Sequence, residues 1–291
     1  MPMLVNLRDI LAIAEQNNTA LVAFNTPSLE AVRAALDAAE AAHTPLIIAH
    51  AEAHDAFAPL KTMGRTMIAL AEESSLPVCV HLDHAEHLSY IAEALDMGFT
   101  GVMYDGSYLP YQENLKNSRA ARAMCNSFDV GLECEIGSMG SREAGYKAEG
   151  GTAQEAGAIY TDPAQALEFI QGCGCDALAC SFGTVHGIYK GKPQLKLSVL
   201  EDIRKNNPLP LVMHGGSGVS DDDYKRCIKA GIRKINYYTY GVIAAGAATS
   251  ELARAKGSEP LYWHDCTETA YQAMFKDFSH ILNVCSKSVQ D

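Results

Sequence analysis

The sequence predicts a (β/α)8 TIM barrel, an α/β fold, with additional helices at its C-terminus. Two observations lead there. Eight short runs rich in apolar and β-branched residues alternate with longer segments whose apolar residues recur at i, i+3, i+4 and i+7. The chain has 291 residues, which suits one barrel of roughly 250 residues plus a modest extension. A doubly wound open sheet competes for the same alternation, but eight strand candidates in this length favour closure. No low-complexity tract or linker divides the chain, so residues 1–291 are expected to form a single domain.

The elements follow in order. LRDILAIAEQNN near the N-terminus carries Arg8 and Asp9 inside its apolar run, the pattern of an amphipathic helix and not of a signal peptide. The strand candidates are LVAFN (21–25), PLIIAH (45–50), VCVHLDH (78–84), GVMYD (101–105), DVGLECEIG (129–137), ALACSFG (177–183), LVMHGG (211–216) and IRKINY (232–237). Helical segments such as SLEAVRAALDAAEAAH and HLSYIAEALDMG lie between them, with Gly98 and Gly231 as helix stops. From about residue 248 the chain reads as a helical extension beyond the eighth unit.

Composition excludes several classes of function. A net charge of −12 argues against nucleic acid, whose phosphates need a positive field. No window approaches the roughly 18 apolar residues of a membrane span, so no membrane partner is expected and the protein reads as cytoplasmic. Nine cysteines are an odd number without framework spacing, and they are expected to be small buried hydrophobes. Cys173 and Cys175 stand too close for a C-x-x-C metal knuckle.

The chemistry-bearing residues gather at strand ends. In VCVHLDH, alternation turns Val78, Val80 and Leu82 one way and Cys79, His81 and Asp83 the other. Asp83 and His84 then sit at the C-terminal end of the third strand, where barrels build active sites. His87 falls on the first turn of the next helix and reads as solvated, while His81 either packs inward or supports the site. Asp105 follows the fourth strand, Glu133 and Glu135 share a face of the fifth, His186 follows the sixth and His214 tips the seventh. Three imidazoles with an open position compose a catalytic zinc site. HGGSG (214–218) offers approachable amides and the Ser217 hydroxyl, and NYYT (236–239) offers Asn236 and Thr239. Loops after strands seven and eight commonly hold a phosphate, which points to a phosphorylated substrate.

Taken together, AFN (23–25), HLDH (81–84), MYDGS (103–107), ECEIGSMG (133–140), GTVHGIYKG (183–191), HGGSG and NYYT are similar to the motifs of one family. Over nearly its whole length the sequence resembles the class II, metal-dependent fructose-bisphosphate and tagatose-bisphosphate aldolases. The resemblance implies that His84, His186 and His214 ligate Zn2+, with Asp105 and Glu135 beside the metal as alternate ligands or as support. It implies that Asn25, Gly187, Gly215, Ser217 and Thr239 bind substrate and its phosphate, with Asn236 near the carbonyl carbon. Asp83 would exchange the C4 hydroxyl proton. Glu143 would be the acid of a mobile loop, the stretch SMGSREAGYKAEGGTAQEAG, whose length suits a lid. A monovalent cation (Na+ or K+) and a homodimer or homotetramer are implied in the same way.

Two places depart from the family pattern. Tyr238, between Tyr237 and Thr239, stands where an aspartate or small residue is common, and HAEAH (50–54) replaces a hydroxyl followed by glycine with Ala51, His50 and His54. Both leave the sugar open more than the reaction. Among rival functions, a Schiff-base aldolase needs a lysine at the mouth, typically from strand six, where this chain has ALACSFG. A zinc hydrolase favours H-x-H within a strand, absent here. A non-catalytic sugar-phosphate binder predicts loss of Asp83, Glu143 or a ligand, and all are present. An aldolase for another ketose 1-phosphate stays open.

Overall fold

The computed structural model describes residues 4–137, 160–189 and 191–287. Eight parallel strands close into a barrel in chain order, and β8 pairs back onto β1. They are β1 (Leu21–Asn25), β2 (Leu46–Ala51), β3 (Val78–Ala85), β4 (Gly101–Tyr104), β5 (Gly131–Ile136), β6 (Ala177–Cys180), β7 (Leu211–Met213) and β8 (Ile232–Tyr237). Closure rules out the doubly wound sheet. The helices are α1 (Leu7–Asn17), α2 (Leu29–Ala42), α3 (Leu60–Glu73), α4 (Leu88–Met97), α5 (Tyr111–Phe128), α6 (Pro163–Cys173), α7 (Ser198–Asn206), α8 (Asp221–Lys229), α9 (Thr239–Lys256) and α10 (Trp263–Cys285).

Local chemistry sets the helix ends. Ser28 accepts a hydrogen bond from Ala31 N at the start of α2, and Asp162 from Gln165 N at the start of α6, ahead of Pro163 in its first turn. Ser220 caps α8, whose first turn holds Asp221, Asp222 and Asp223 and whose last holds Arg226 and Lys229, matching the helix dipole. No described helix is long and apolar enough to cross a membrane.

Two apolar layers result. Outward-facing Val78, Val80, Leu82 and Leu132 pack under the helices, whereas Cys79, Met103, Ala177, Ala179 and Val212 fill the barrel interior with Leu7, Ile10 and Leu11 of α1. Helix α1 therefore plugs the end where the strands begin. Gly101 and Gly131 make room for it, since a Cβ at either would come within about 3 Å of the Leu7 Cβ. The interior is thus dry at the bottom, and polar side chains are left to its upper half and rim.

The strand readings hold, with informative trimming at the ends. β7 stops at Met213, before the glycines of HGGSG, and β6 stops at Cys180. Asp129 is not in β5; it ends α5 in the left-handed conformation, φ 55°. Thr239 opens α9, the helix of the eighth unit, and α10 follows beyond it. Helix α10 packs against α2, α9 and β1, with Phe278 4.2 Å from Phe24 between ring centroids.

Candidate active site

The rim is built strand by strand. On β3, His81 and Asp83 face inward, and simple alternation would send His84 outward. Instead the β3–β4 register slips between Leu82 and Ala85, and His84 adopts φ 46°. This bulge turns two consecutive polar residues toward the same mouth. A non-glycine residue held at positive φ costs on the order of 1–3 kcal/mol, a strain that concentrates at functional sites.

His84 Nδ1 lies 2.9 Å from Asp105 Oδ2, just past β4, while Ser107 N and Oγ donate to Asp105 Oδ1 at 3.0 and 2.7 Å. His214 Nε2 lies 2.8 Å from Glu133 Oε1 of β5. Each carboxylate takes one ring nitrogen, so His84 Nε2 and His214 Nδ1 are turned toward a common point, 2.7 Å apart. His186 completes the group: ligand atoms of His84, His186 and His214 all lie within 4.8 Å of one another. Carboxylates that fix the outer nitrogen of a ligating imidazole are the usual support of a zinc site. The donor set fits a metal of the zinc type, with three imidazoles and no thiolate.

The electrostatics agree. Burial opposes a charge on His84, but Asp83, Asp105 and Glu135 outweigh it and push its pKa up to about 10. Burial and the neighbouring His84 hold His214 low. The carboxylates thus favour a positive charge on His84 over one on His214. Burial, reinforced by Asp105, raises Glu135 well above the ordinary carboxylate value. Glu135 and Asp105 both approach His84 within the same 4.8 Å limit.

Asp83 is held from both sides. Asn236 Nδ2 donates to Oδ1 at 2.9 Å and Asn25 Nδ2 to Oδ2 at 3.1 Å. Burial opposes its ionisation, yet the positive neighbours His84 and Lys234 keep it well below the usual range. Lys234 Nζ donates to Asn236 Oδ1 at 2.7 Å and pairs with Glu133 Oε2 at 2.8 Å. His81 Nε2 is 3.5 Å from the same Glu133 oxygen. Beneath the rim, therefore, a buried Glu133–Lys234 pair orients both His214 and, through Asn236, Asp83. Sequence reasoning set Glu133 on the face of Glu135 without giving it a role, and it left Lys234 out of the site. Parity was the available signal for the lysine, because Lys234 is two residues from Asn236 on a strand of period two.

The glycine loops meet on the opposite side. Gly187 and Gly215 have φ of 87° and 63°. A Cβ on Gly215 would fall 2.3 Å from Val185 O, so only glycine lets the loops after β6 and β7 touch. Ser217 Oγ accepts from Tyr238 N at 3.0 Å, tying the β7 loop to the start of α9, where Thr239 and free helical amides suit an anion. Glu143 lies outside the described residues.

The β2 side carries the departures. His50 Nε2 is 3.1 Å from Tyr90 Oη, which donates to Asp55 Oδ1 at 2.8 Å. His54 is fully buried between Phe57 and Tyr238, at 5.2 and 4.7 Å between ring centroids, and neither of its ring nitrogens has a hydrogen-bond partner. Burial lowers both to about 4, against the opposing pull of Asp83. His87 precedes α4 instead of lying on its first turn, and pairs with Glu52 Oε1 at 2.6 Å.

Comparison with known proteins adds the following. Residues 5–288 match the family model described as "Fructose-bisphosphate aldolase class-II". The chain is 36% identical over 259 residues to the Bacillus subtilis (strain 168) "Probable fructose-bisphosphate aldolase", covering 88% of each. Among solved structures it is similar to the YdjI aldolase of Escherichia coli K12, with 28% identity, a TM-score of 0.84 and 98% of each chain covered. The fold also matches a fructose-bisphosphate aldolase of Campylobacter jejuni at 22% identity and a TM-score of 0.78, covering 99% of this chain and 97% of that one.

Proposed function

This chain belongs to the class II fructose-bisphosphate aldolase family of lyases, and from that premise we propose that it reversibly cleaves fructose 1,6-bisphosphate or tagatose 1,6-bisphosphate. The products are dihydroxyacetone phosphate and glyceraldehyde 3-phosphate. What carries the reading is the pair His84 Nε2 and His214 Nδ1, aimed at one point beside the doubly clamped Asp83.

His84, His186 and His214 would hold a zinc ion, with Glu135 and Asp105 beside it. When bound, that ion supplies Lewis-acid polarisation of the C2 carbonyl, the electron sink that bond cleavage needs. Gly187, Gly215, Ser217 and Thr239 hold the 1-phosphate, and Asn25 and Asn236 position the chain of the sugar. Asp83 accepts the C4 hydroxyl proton as the C3–C4 bond breaks and its electron pair moves toward C3 and the carbonyl. Glu143 then delivers a proton to C3, which completes dihydroxyacetone phosphate. A monovalent cation, Na+ or K+, near the phosphate belongs to the same reading.

A second reading, an aldolase for another ketose 1-phosphate that yields a different aldehyde, is favoured by His50 and His54. Buried neutral imidazoles, His50 beside Tyr90 and His54 beside Tyr238, offer hydrogen bonds to hydroxyls more readily than charge to a second phosphate. The test is a cleavage panel with zinc-loaded protein: both bisphosphates, and 1-phosphates that lack or replace the C6 phosphate, each with an Asp83→Ala control. Turnover of a bisphosphate above the rest supports the first reading. Turnover of 1-phosphates alone supports the second, and no dihydroxyacetone phosphate from any sugar defeats both.

A further inference from the structure

Away from the rim, on the helix side of β5, three cysteines from two parts of the chain come together. Cys134 lies between the inward-facing Glu133 and Glu135, so alternation turns it out of the barrel into the apolar layer under the helices. Cys173 ends α6, and Gly174, with φ 69°, turns the chain so that Cys175 follows onto the same spot. The three Sγ atoms all lie within 4.8 Å of one another, and the side chains are 0%, 4% and 5% exposed.

We propose that Cys134, Cys173 and Cys175 form a three-thiolate site for a thiophilic d10 cation, Zn2+ or Cu+, distinct from the histidine centre. Metal–sulfur bonds of about 2.3 Å put bound sulfurs roughly 4 Å apart, so the observed spacing needs little closing. Sulfur donors select such soft cations over the hard ones. In place of spreading among aliphatic neighbours, the sulfur from β5 faces the two at the end of α6.

The surroundings suit the charge. Three thiolates around a divalent ion leave one net negative charge, and Arg119 and Arg122 of α5 flank the turn. Arg119 Nε donates to Gly172 O at 2.7 Å, and Arg122 pairs with Asp176. The Ser118 hydroxyl lies beside Cys134 as an oxygen donor. Exposed Gln171 and Gly174 border the cluster, so an ion reaches it from solvent through one layer of residues.

The site is independent of the catalytic reading and is separable from it by spectroscopy. Titrating the reduced protein with Cd2+ or Co2+ reports thiolate-to-metal charge transfer, to which a three-imidazole centre is silent. With the histidine centre already zinc-loaded, one further equivalent of ion per chain is expected to develop the band. The band persists in His84→Ala and is lost in Cys175→Ser, a change just beneath the surface whose fold is checked by circular dichroism and melting temperature. Displacement of the band by Zn2+ assigns zinc, and displacement by Cu+ alone assigns copper. No charge-transfer band in zinc-loaded wild-type protein with a further equivalent of ion, or a band that survives in folded Cys175→Ser, overturns the proposal.

Discussion

Replacing Glu133 separates two jobs that the structure gives one carboxylate. Oε1 takes the proton on His214 Nε2 at 2.8 Å and Oε2 takes the Lys234 ammonium at 2.8 Å, with both charged side chains fully buried. Glu133→Met keeps the length and removes both acceptors. Lys234 is then a stranded buried charge, a loss of about 3–5 kcal/mol. With an unfolding entropy of about 2.1 cal/mol/K per residue over 291 residues, that lowers the melting temperature by roughly 5–8 °C. His214 also loses the contact that fixes its tautomer, which weakens metal binding by about 10–100-fold, or roughly 1.4–2.7 kcal/mol. In the double variant Glu133→Met/Lys234→Met the stranded charge is gone, so most of the stability returns while metal affinity stays low. Calorimetry on chelated protein and zinc competition against a chromophoric chelator read the two quantities. Wild-type zinc affinity in the folded double variant would refute the orienting role, and an unchanged melting temperature in the single variant would refute the buried pair.

Further outcomes follow from the same geometry. Asp83→Asn is expected to lower kcat by about 10²–10⁴ while zinc content by atomic absorption stays near wild type. Acid weakens the fold by a calculable route: burial holds His50 and His54 at about 4 and His81 at about 3, against an ordinary value of 6.5. The unfolded chain then binds more protons, so stability present above pH 6.5 is lost as pH falls toward 4. At pH 4.5 His54 alone contributes a loss of about 2–3 kcal/mol, and chelated His54→Phe should therefore lose less melting temperature than wild type between pH 7 and 4.5; equal losses would contradict this. Borohydride added with substrate should leave activity intact, because Lys234, the buried lysine among the described residues, is paired with Glu133 and directed at Asn236; covalent trapping of substrate on Lys234 would contradict it.

The barrel was legible because period-two and period-3.6 patterns are local, and each strand needs only its own residues to declare itself. The convergence of Asp83, His84, Asp105, His186 and His214 was legible for a related reason, since closure brings all strand ends to one rim. What the pattern did not give was the bulge at His84. Alternation alone would send this residue outward, and the slip in register against β4 depends on the neighbouring strand. The support beneath the site was hidden similarly: Lys234 reads as a charged mid-strand residue until Glu133, from a strand far off in sequence, is placed 2.8 Å away. The cysteines read as core, and all nine are buried, but the meeting of Cys134 with Cys173 and Cys175 is a tertiary fact that no spacing encodes.

The most direct test of the account is release of dihydroxyacetone phosphate from a ketose 1-phosphate or 1,6-bisphosphate, followed by a coupled reductase assay. The comparison is between zinc-loaded protein, the same protein after chelation, and His84→Ala. The account predicts release by the loaded protein, its loss on chelation with recovery when zinc is restored, and none from His84→Ala at any zinc concentration near stoichiometry. Undiminished release from chelated protein or from His84→Ala would contradict the central claim that the paired imidazoles at the rim hold the catalytic metal.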